Sequence, residues 1–355
     1  MKLEQLTFTR FLAAISIVIF HYGLDVFPFN LGLANILLKQ ANVVVSYFFI
    51  LSGFVMIIAY GNNDKIEFGA FMKRRLARIY PAYFLAIIVF LIYFLVQFKP
   101  FDIKGLILNL TFLQSWIPGY ALSFNAPGWS LSVEMFFYML FPLLFNYFYK
   151  RYSVNKLLIP ILLFFVVSQL LLHILRYSTF YKGFPSASND LIFFFPLMHL
   201  SEFLVGNIAG LFFLKGIKKR NYDFYIVALI SLIIILLASH TSINYHNGML
   251  AFVFVPLILL ISSNNGTSTK ILTSKSLIFL GEISYGVYIF QKPVSIWICG
   301  ILKYYNINNP ALNFYLTVTV LIILSAISYK FIETPLRRIV NKKTLYFSQR
   351  KVSNM

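Results

Sequence analysis

The 355-residue sequence predicts an all-α fold: a polytopic transmembrane helical bundle of about ten transmembrane helices, with N- and C-termini cytoplasmic. Three observations predict it. The chain is 59% hydrophobic and 19% aromatic with only 12% charged residues, and its mean hydropathy of +0.79 is far above that of a water-soluble globular protein. Strand-like alternation at period two is missing, which excludes a closed β-barrel, the other structure that satisfies backbone groups in lipid. The net charge of +19 is sorted by side along the chain.

A hydrocarbon layer of about 30 Å takes about 20 mostly apolar residues per helix. The first such stretch, 6–25, has no small-residue cleavage site and carries Arg10 and His21, so it is a retained span and not a signal peptide. The second is 41–60. The third, 80–98, follows a basic run of Lys65, Lys73, Arg74, Arg75 and Arg78, and the fourth, 129–149, opens after Pro127 and Gly128. The fifth and sixth, 157–175 and 191–214, are flanked by basic clusters at 150–156 and 215–220. The last four are 222–240, 246–262, 277–302 and 311–332, and basic residues continue from Arg337 to Lys351.

With ten spans and the N-terminus inside, 21 of the 30 lysines and arginines fall on inner segments and six on outer ones; Arg10, Lys292 and Lys330 lie in or at the ends of spans. This is the positive-inside pattern. It explains the net charge by membrane orientation, so the lipid bilayer is the expected partner and nucleic acid is not. No internal repeat is visible; residues 1–340 read as one membrane domain and 341–355 as a short basic cytoplasmic tail. The single cysteine, Cys299, has no partner for an internal disulfide and reads as structural. His173, His240 and His246 lack metal-ligand spacing, and no metal is expected.

Polar residues inside the spans carry the chemistry. Arg10 and His21 are eleven apart, three helical turns plus about 20°, so they share nearly one face about 16 Å apart along the axis. Intramembrane ionisable groups mark function by default. Glu134 lies one to two turns inside the fourth span and shares a face with Ser130. It is expected at the depth of His21, where a carboxylate fixes the tautomer of an imidazole base. Arg74, Arg75 and Arg78 form a compact cationic face suited to phosphate. Trp116 and Tyr120 are candidates to stack on a sugar ring. For Glu202, beside His199, lining a site and structural pairing stand equal, and Glu333 is expected to cap a helix or pair with Arg337.

These stretches together resemble the acyltransferase 3 family, integral membrane enzymes that move acyl groups from cytoplasmic acyl-CoA onto extracytoplasmic sugars. The resemblance runs through the Arg10 to His21 spacing, FFILSGF at 48–54, RRLARIYP at 74–81, GWSLSVE at 128–134, SEFLVGNIAG at 201–210, LGEISYGVYIFQKPV at 280–294 and SYKFIETPLRR at 328–338. It implies that Arg10, Arg74, Arg75 and Arg78 lie near the CoA, that His21 is at the transfer centre with Glu134, and that Trp129 and Ser130 line the site. It implies acetyl-CoA or another acyl-CoA as co-substrate with no permanently bound cofactor, a carbohydrate acceptor, and a multi-pass place in the cell membrane. Gln291 stands where the ninth-span motif often has histidine. Some members also end in a soluble esterase-like domain, which this chain is expected to lack.

Acyl transfer to a hydroxyl needs a base, oxyanion donors and positioning. His21 is assigned as the base, Glu134 as its orienting partner, and the start of the fourth span with Trp129 and Ser130 as the oxyanion site. If a covalent acyl-enzyme forms, Ser130 or His21 carries it. The competing class is a transporter or lipid-linked sugar flippase, which is often built from internal repeats. An inactive scaffold is a third reading, suggested only by Gln291.

Overall fold

The computed structural model describes residues 3–239 and 243–340. The tail at 341–355 and His240 lie outside them. The helices are α1 (Thr7–Tyr22), α2 (Gly32–Leu38), α3 (Val44–Tyr60), α4 (Phe68–Val96), α5 (Ile103–Leu110), α6 (Trp129–Leu144), α7 (Val154–Tyr177), α8 (Ala187–Phe193), α9 (Leu200–Leu214), α10 (Asp223–Ala238), α11 (Ala251–Ser263), α12 (Thr267–Leu272), α13 (Lys275–Tyr304) and α14 (Pro310–Ser328). Among the described residues there are no strands; Arg220 and Asn264 form an isolated parallel bridge.

Among the described residues, seven helical stretches are long and apolar enough to cross a membrane: Glu4–Tyr22, Ala41–Tyr60, Phe68–Val96, Ala126–Tyr149, Val154–Tyr177, Ala187–Leu214 and Pro310–Val340. The chain is therefore a multi-pass membrane protein. The other three expected spans fall short for identifiable reasons. Those at 222–240 and 246–262 are α10 with 16 residues and α11 with 13, whereas α13 is 30 residues long but carries Glu282, Gln291 and Lys292. Two boundaries also differ from expectation. The third helix begins at Phe68, so the arginine run lies on α4 itself. The sixth stretch is broken before Pro196, which has no N–H to continue the ladder, and resumes through a short 3-10 turn into α9.

Lipid is as apolar as leucine, so helices in a membrane associate through close packing at small residues. The α3–α9 contact follows that rule. A Cβ on Gly53 would lie 2.2 Å from the Phe203 carbonyl oxygen, and one on Gly206 2.1 Å from that of Ile50. At the second tight contact, a Cβ on Gly281 of α13 would lie 2.1 Å from the Thr7 carbonyl oxygen of α1. Helix α4 lies along α13 in the same direction: Tyr285 donates to the Ile79 carbonyl at 2.8 Å and Trp297 to that of Val89 at 3.0 Å. On the periphery, α7 and α10 leave Leu163, Val167, Ile174, Val227 and Ile235 exposed, as suits lipid-facing helices. Below, "inner" denotes the end of the bundle where α1 begins.

Candidate active site

Helices α1, α3, α4, α6 and α13 enclose a cavity of about 110 Å³. Arg10 reaches it from α1, Arg75 and Arg78 from α4, Ser130 and Glu134 from α6, and Tyr285 and Tyr288 from α13. Glu134 accepts hydrogen bonds from the Ser52 hydroxyl at 3.2 Å and from the Tyr138 hydroxyl one turn on. The Arg75 guanidinium sits over the rings of Tyr60, Phe71 and Tyr138 at 5.3 to 5.7 Å and donates to the Tyr60 hydroxyl at 3.0 Å. Its Nε is buried without a partner. Such a cation, held in an aromatic box with a spare donor, is arranged to receive an anion.

Arg10, Arg78, Leu51, Val55 and Tyr285 also line a second cavity of about 310 Å³ on the inner side, which adds Thr7, Glu282, Glu333 and Arg337. Because five residues belong to both, the two cavities adjoin and together make a polar passage from the inner side. Its walls carry four arginines, Arg10, Arg75, Arg78 and Arg337, against three carboxylates, Glu134, Glu282 and Glu333. Glu333 accepts from the Ser328 hydroxyl at 3.0 Å.

At the outer end of the passage, Ser130 and Tyr288 share a hydrogen bond of 3.0 Å. Ser130 is in the first turn of α6, which continues from the helical turn Ala126–Gly128 with the Trp129 N–H donating to the Ala126 carbonyl, so the positive end of the helix dipole lies toward the cavity. The start of α6 is held by Gln114, whose amide donates to the Gly128 carbonyl at 2.7 Å, and by Ser115, which donates to that of Trp129 at 2.9 Å.

The structure thus brings together Arg10, Arg75, Arg78, Ser130 and Glu134, and leaves His21, Arg74 and Trp129 off the cavity wall. Arg74 donates to the same Tyr60 hydroxyl at 3.3 Å. Trp129 packs behind the wall against Phe49, Phe194 and His199. His21 is exposed at the outer end of α1, its ring 5.0 Å from that of Phe20, and Lys292 is near enough to act on it electrostatically.

The expected match in depth between His21 and Glu134 is corrected by the register of the helices. Thr7 lies against Gly281. Tyr288, about 10 Å farther out along α13, meets Ser130, and Glu134 is one turn back inward, level with Arg10. Helix α6 starts inside the bundle because the segment before it folds over its end, burying Asn125, Pro127 and Gly128. Glu134 therefore faces the arginines.

Spacing alone missed Ser52, Tyr60, Tyr285 and Tyr288; only Tyr138, four residues after Glu134, shared a recognisable face. Glu202 is fully buried and paired with His199, Nδ1 to Oε2 at 2.7 Å, while His199 Nε2 meets the Phe193 carbonyl at 3.0 Å. Neither lines the passage. Trp116 is wedged edge-on between Phe136 and Phe195, and the Lys104 ammonium covers the Tyr120 ring at 4.6 Å. Gln291 is buried, donating to the Tyr288 carbonyl at 2.7 Å.

Among the described residues, an all-helical membrane protein thus presents a cationic passage leading from its inner end to a half-buried carboxylate at the start of α6. The chain belongs to the acyltransferase 3 family, whose sequence profile, an acyltransferase domain, matches residues 3–330. It is 25% identical over 324 residues to the O-acetyltransferase OatA of Staphylococcus aureus, a match that takes in 83% of this chain and 52% of the relative. It is 26% identical over 362 residues to the peptidoglycan O-acetyltransferase OatA of Listeria monocytogenes, covering 93% of this chain and 55% of that protein. The acyltransferase MdmB of Streptomyces mycarofaciens is 35% identical over 155 residues, 40% of this chain and 39% of the relative. The chain thus spans about half the length of the OatA relatives and less of MdmB. No solved structure matches it.

Proposed function

We propose that the protein is a membrane O-acyltransferase that takes an acyl group, acetyl in the first instance, from acyl-CoA at the cytoplasmic face and transfers it to a hydroxyl of a cell-surface or exported carbohydrate. The observation that carries this is the pair of adjoining cavities leading from the inner end, lined by Arg10, Arg75, Arg78 and Arg337 and reaching Ser130 and Tyr288. Phosphates of the donor pair with the arginines, and its pantetheine arm carries the thioester outward. Membership of the family and the acetyltransferase names of the relatives support the reaction class. The peptidoglycan named for the Listeria relative makes a cell-wall glycan the first acceptor to examine.

Ten crossings, with both termini and the inner end cytoplasmic in the plasma membrane, suit this reaction. The hairpin of α10 and α11 supports the count. Its ends meet where Asn264 donates to Asp223 at 2.8 Å, and its tip reaches the start of α3, where the Gly248 N–H donates to the Ser46 hydroxyl at 3.1 Å.

In the reaction the acceptor oxygen bonds to the thioester carbonyl carbon, the carbon–sulfur bond breaks, and the hydroxyl proton leaves with the CoA thiol. The Ser130 and Tyr288 hydroxyls, near the positive end of the α6 dipole, receive the developing oxyanion. His21, on the face of α1 that carries Arg10 and open at the outer end, takes the hydroxyl proton. Glu134, held by Ser52 and Tyr138, balances the arginine charge and fixes the guanidinium groups.

The test compares wild type and His21→Ala, at matched membrane levels in a deletion strain, for alkali-labile acyl esters on extracted surface glycans by mass spectrometry. Esters in the wild type that vanish in the variant support transfer through His21. Esters unchanged in the variant remove His21 as base, and esters in neither strain overturn the proposed function.

A further inference from the structure

The outer end of the passage is built differently from the rest. Toward the inner side its walls are arginine, carboxylate and tyrosine hydroxyl; beyond Ser130 they become Val45, Phe48, Phe49 and Leu131. Helix α3 runs along both walls: Leu51 and Val55 belong to both cavities, while Val45 and Phe48, one to two turns toward the other end of the helix, belong to the outer cavity alone. Phe48 lies against Tyr288, ring centroids 6.1 Å apart, and Phe49 against Trp129 at 6.0 Å and His199 at 5.0 Å. Behind Phe49 stands the closed pair of His199 and Glu202, both buried, so this wall is backed by packed side chains.

The space left is small. An apolar cavity of roughly 150 Å³ holds one benzene ring. At about 110 Å³ the whole cavity, its arginine and carboxylate walls included, holds on the order of four or five heavy atoms by the same measure, so the apolar part beyond Ser130 has room for only a few carbons. With the thioester carbonyl at Ser130 and Tyr288, the acyl chain points at α3.

We infer that Val45 and Phe48 form a chain-length stop that restricts the donor to acyl groups of two or three carbons, a restriction that rests on the acyl-CoA reading above. The carbonyl end is fixed by polar contacts and the anionic end by the arginines, so a longer chain cannot slide back to gain room. Phe48 is the residue to change because it is only half-buried, whereas Phe49 is fully packed into the core and its truncation would disturb the fold.

Inverted membrane vesicles from the strain used above, supplied with acetyl-, propionyl-, butyryl- or hexanoyl-CoA, would be assayed for the corresponding glycan ester by mass spectrometry. One methylene in a tight pocket changes selectivity by about 10- to 200-fold. Wild type is expected to prefer acetyl over butyryl by at least about a hundredfold. Phe48→Ala is expected to shrink that ratio about tenfold or more, Val45→Ala to shrink it less, and Val45→Leu to reduce propionyl transfer more than acetyl. The two Val45 variants keep the test intact if Phe48→Ala does not reach the membrane folded. Wild-type vesicles that transfer acetyl and hexanoyl groups alike, or truncations of both residues that leave the ratio unchanged, overturn the chain-length stop while leaving the acyl-CoA reading standing. Esters of no length from any donor overturn both.

Discussion

Arg75 shows how a residue chosen for charge acquires a role from its surroundings. Within α4 an unpaired guanidinium would be costly to insert, and three aromatic faces and the Tyr60 hydroxyl offset that penalty while leaving Nε free. Lysine has one compact ammonium and no planar fork. Arg75→Lys should therefore fold and still weaken binding of CoA by about tenfold or more, since a hydrogen bond to a charged group contributes about 1.5–3 kcal/mol; calorimetry on purified protein checks it. Glu134→Gln keeps the shape of the carboxylate and removes its charge. Ester formation should fall while the amount of folded protein is unchanged, and a variant as active as wild type would remove Glu134 from the site. Helical spacing marked the shared faces of Arg10 with His21, of Arg74 and Arg75 with Arg78, and of Ser130 with Glu134. It could not show which polar groups face one another across helices, and so His21 was matched with a carboxylate that in fact meets Ser52 and Tyr138.

Between elements, the close approach of backbones is what fixes the site. Gly206 lies against the Ile50 carbonyl, two residues from Ser52. A Gly206→Val change forces α3 and α9 apart, and the expected outcome is loss of the monodisperse folded protein in detergent, read by size-exclusion fluorescence. The His199–Glu202 pair offers a graded counterpart. His199→Ala leaves a fully buried carboxylate without its imidazole, a defect of about 3–5 kcal/mol, so thermal stability should drop markedly. Glu202→Gln retains a hydrogen-bonding group and should drop less. Equal stability of all three proteins would show that the pair contributes nothing to the fold. The lengths of α3, α7 and α14 were legible in their apolar runs. The start of α6 at Trp129 was legible too, after Pro127 and Gly128; its depth was not, since the outer segment that buries it has no periodic pattern of its own and is held by single amide and hydroxyl contacts from Gln114 and Ser115.

For the whole molecule, the positive charge that composition reports has two physical destinations. Most of it lies outside the spans and orients the chain, while Arg10, Arg75 and Arg78 are drawn inside to line the passage. Orientation is checked with cysteines in a Cys299→Ser background: a membrane-impermeant maleimide added to intact cells should label Ser178→Cys and not Asn265→Cys, and the reverse pattern would invert the proposed topology. The most direct test of the central claim, that the passage receives an acyl-CoA, is a titration of CoA into the purified protein and its Arg78→Ala variant, followed by calorimetry. Saturable binding to the wild type that Arg78→Ala weakens about tenfold or more is the predicted result. Absence of binding to the wild type, or equal affinity in both proteins, would contradict it.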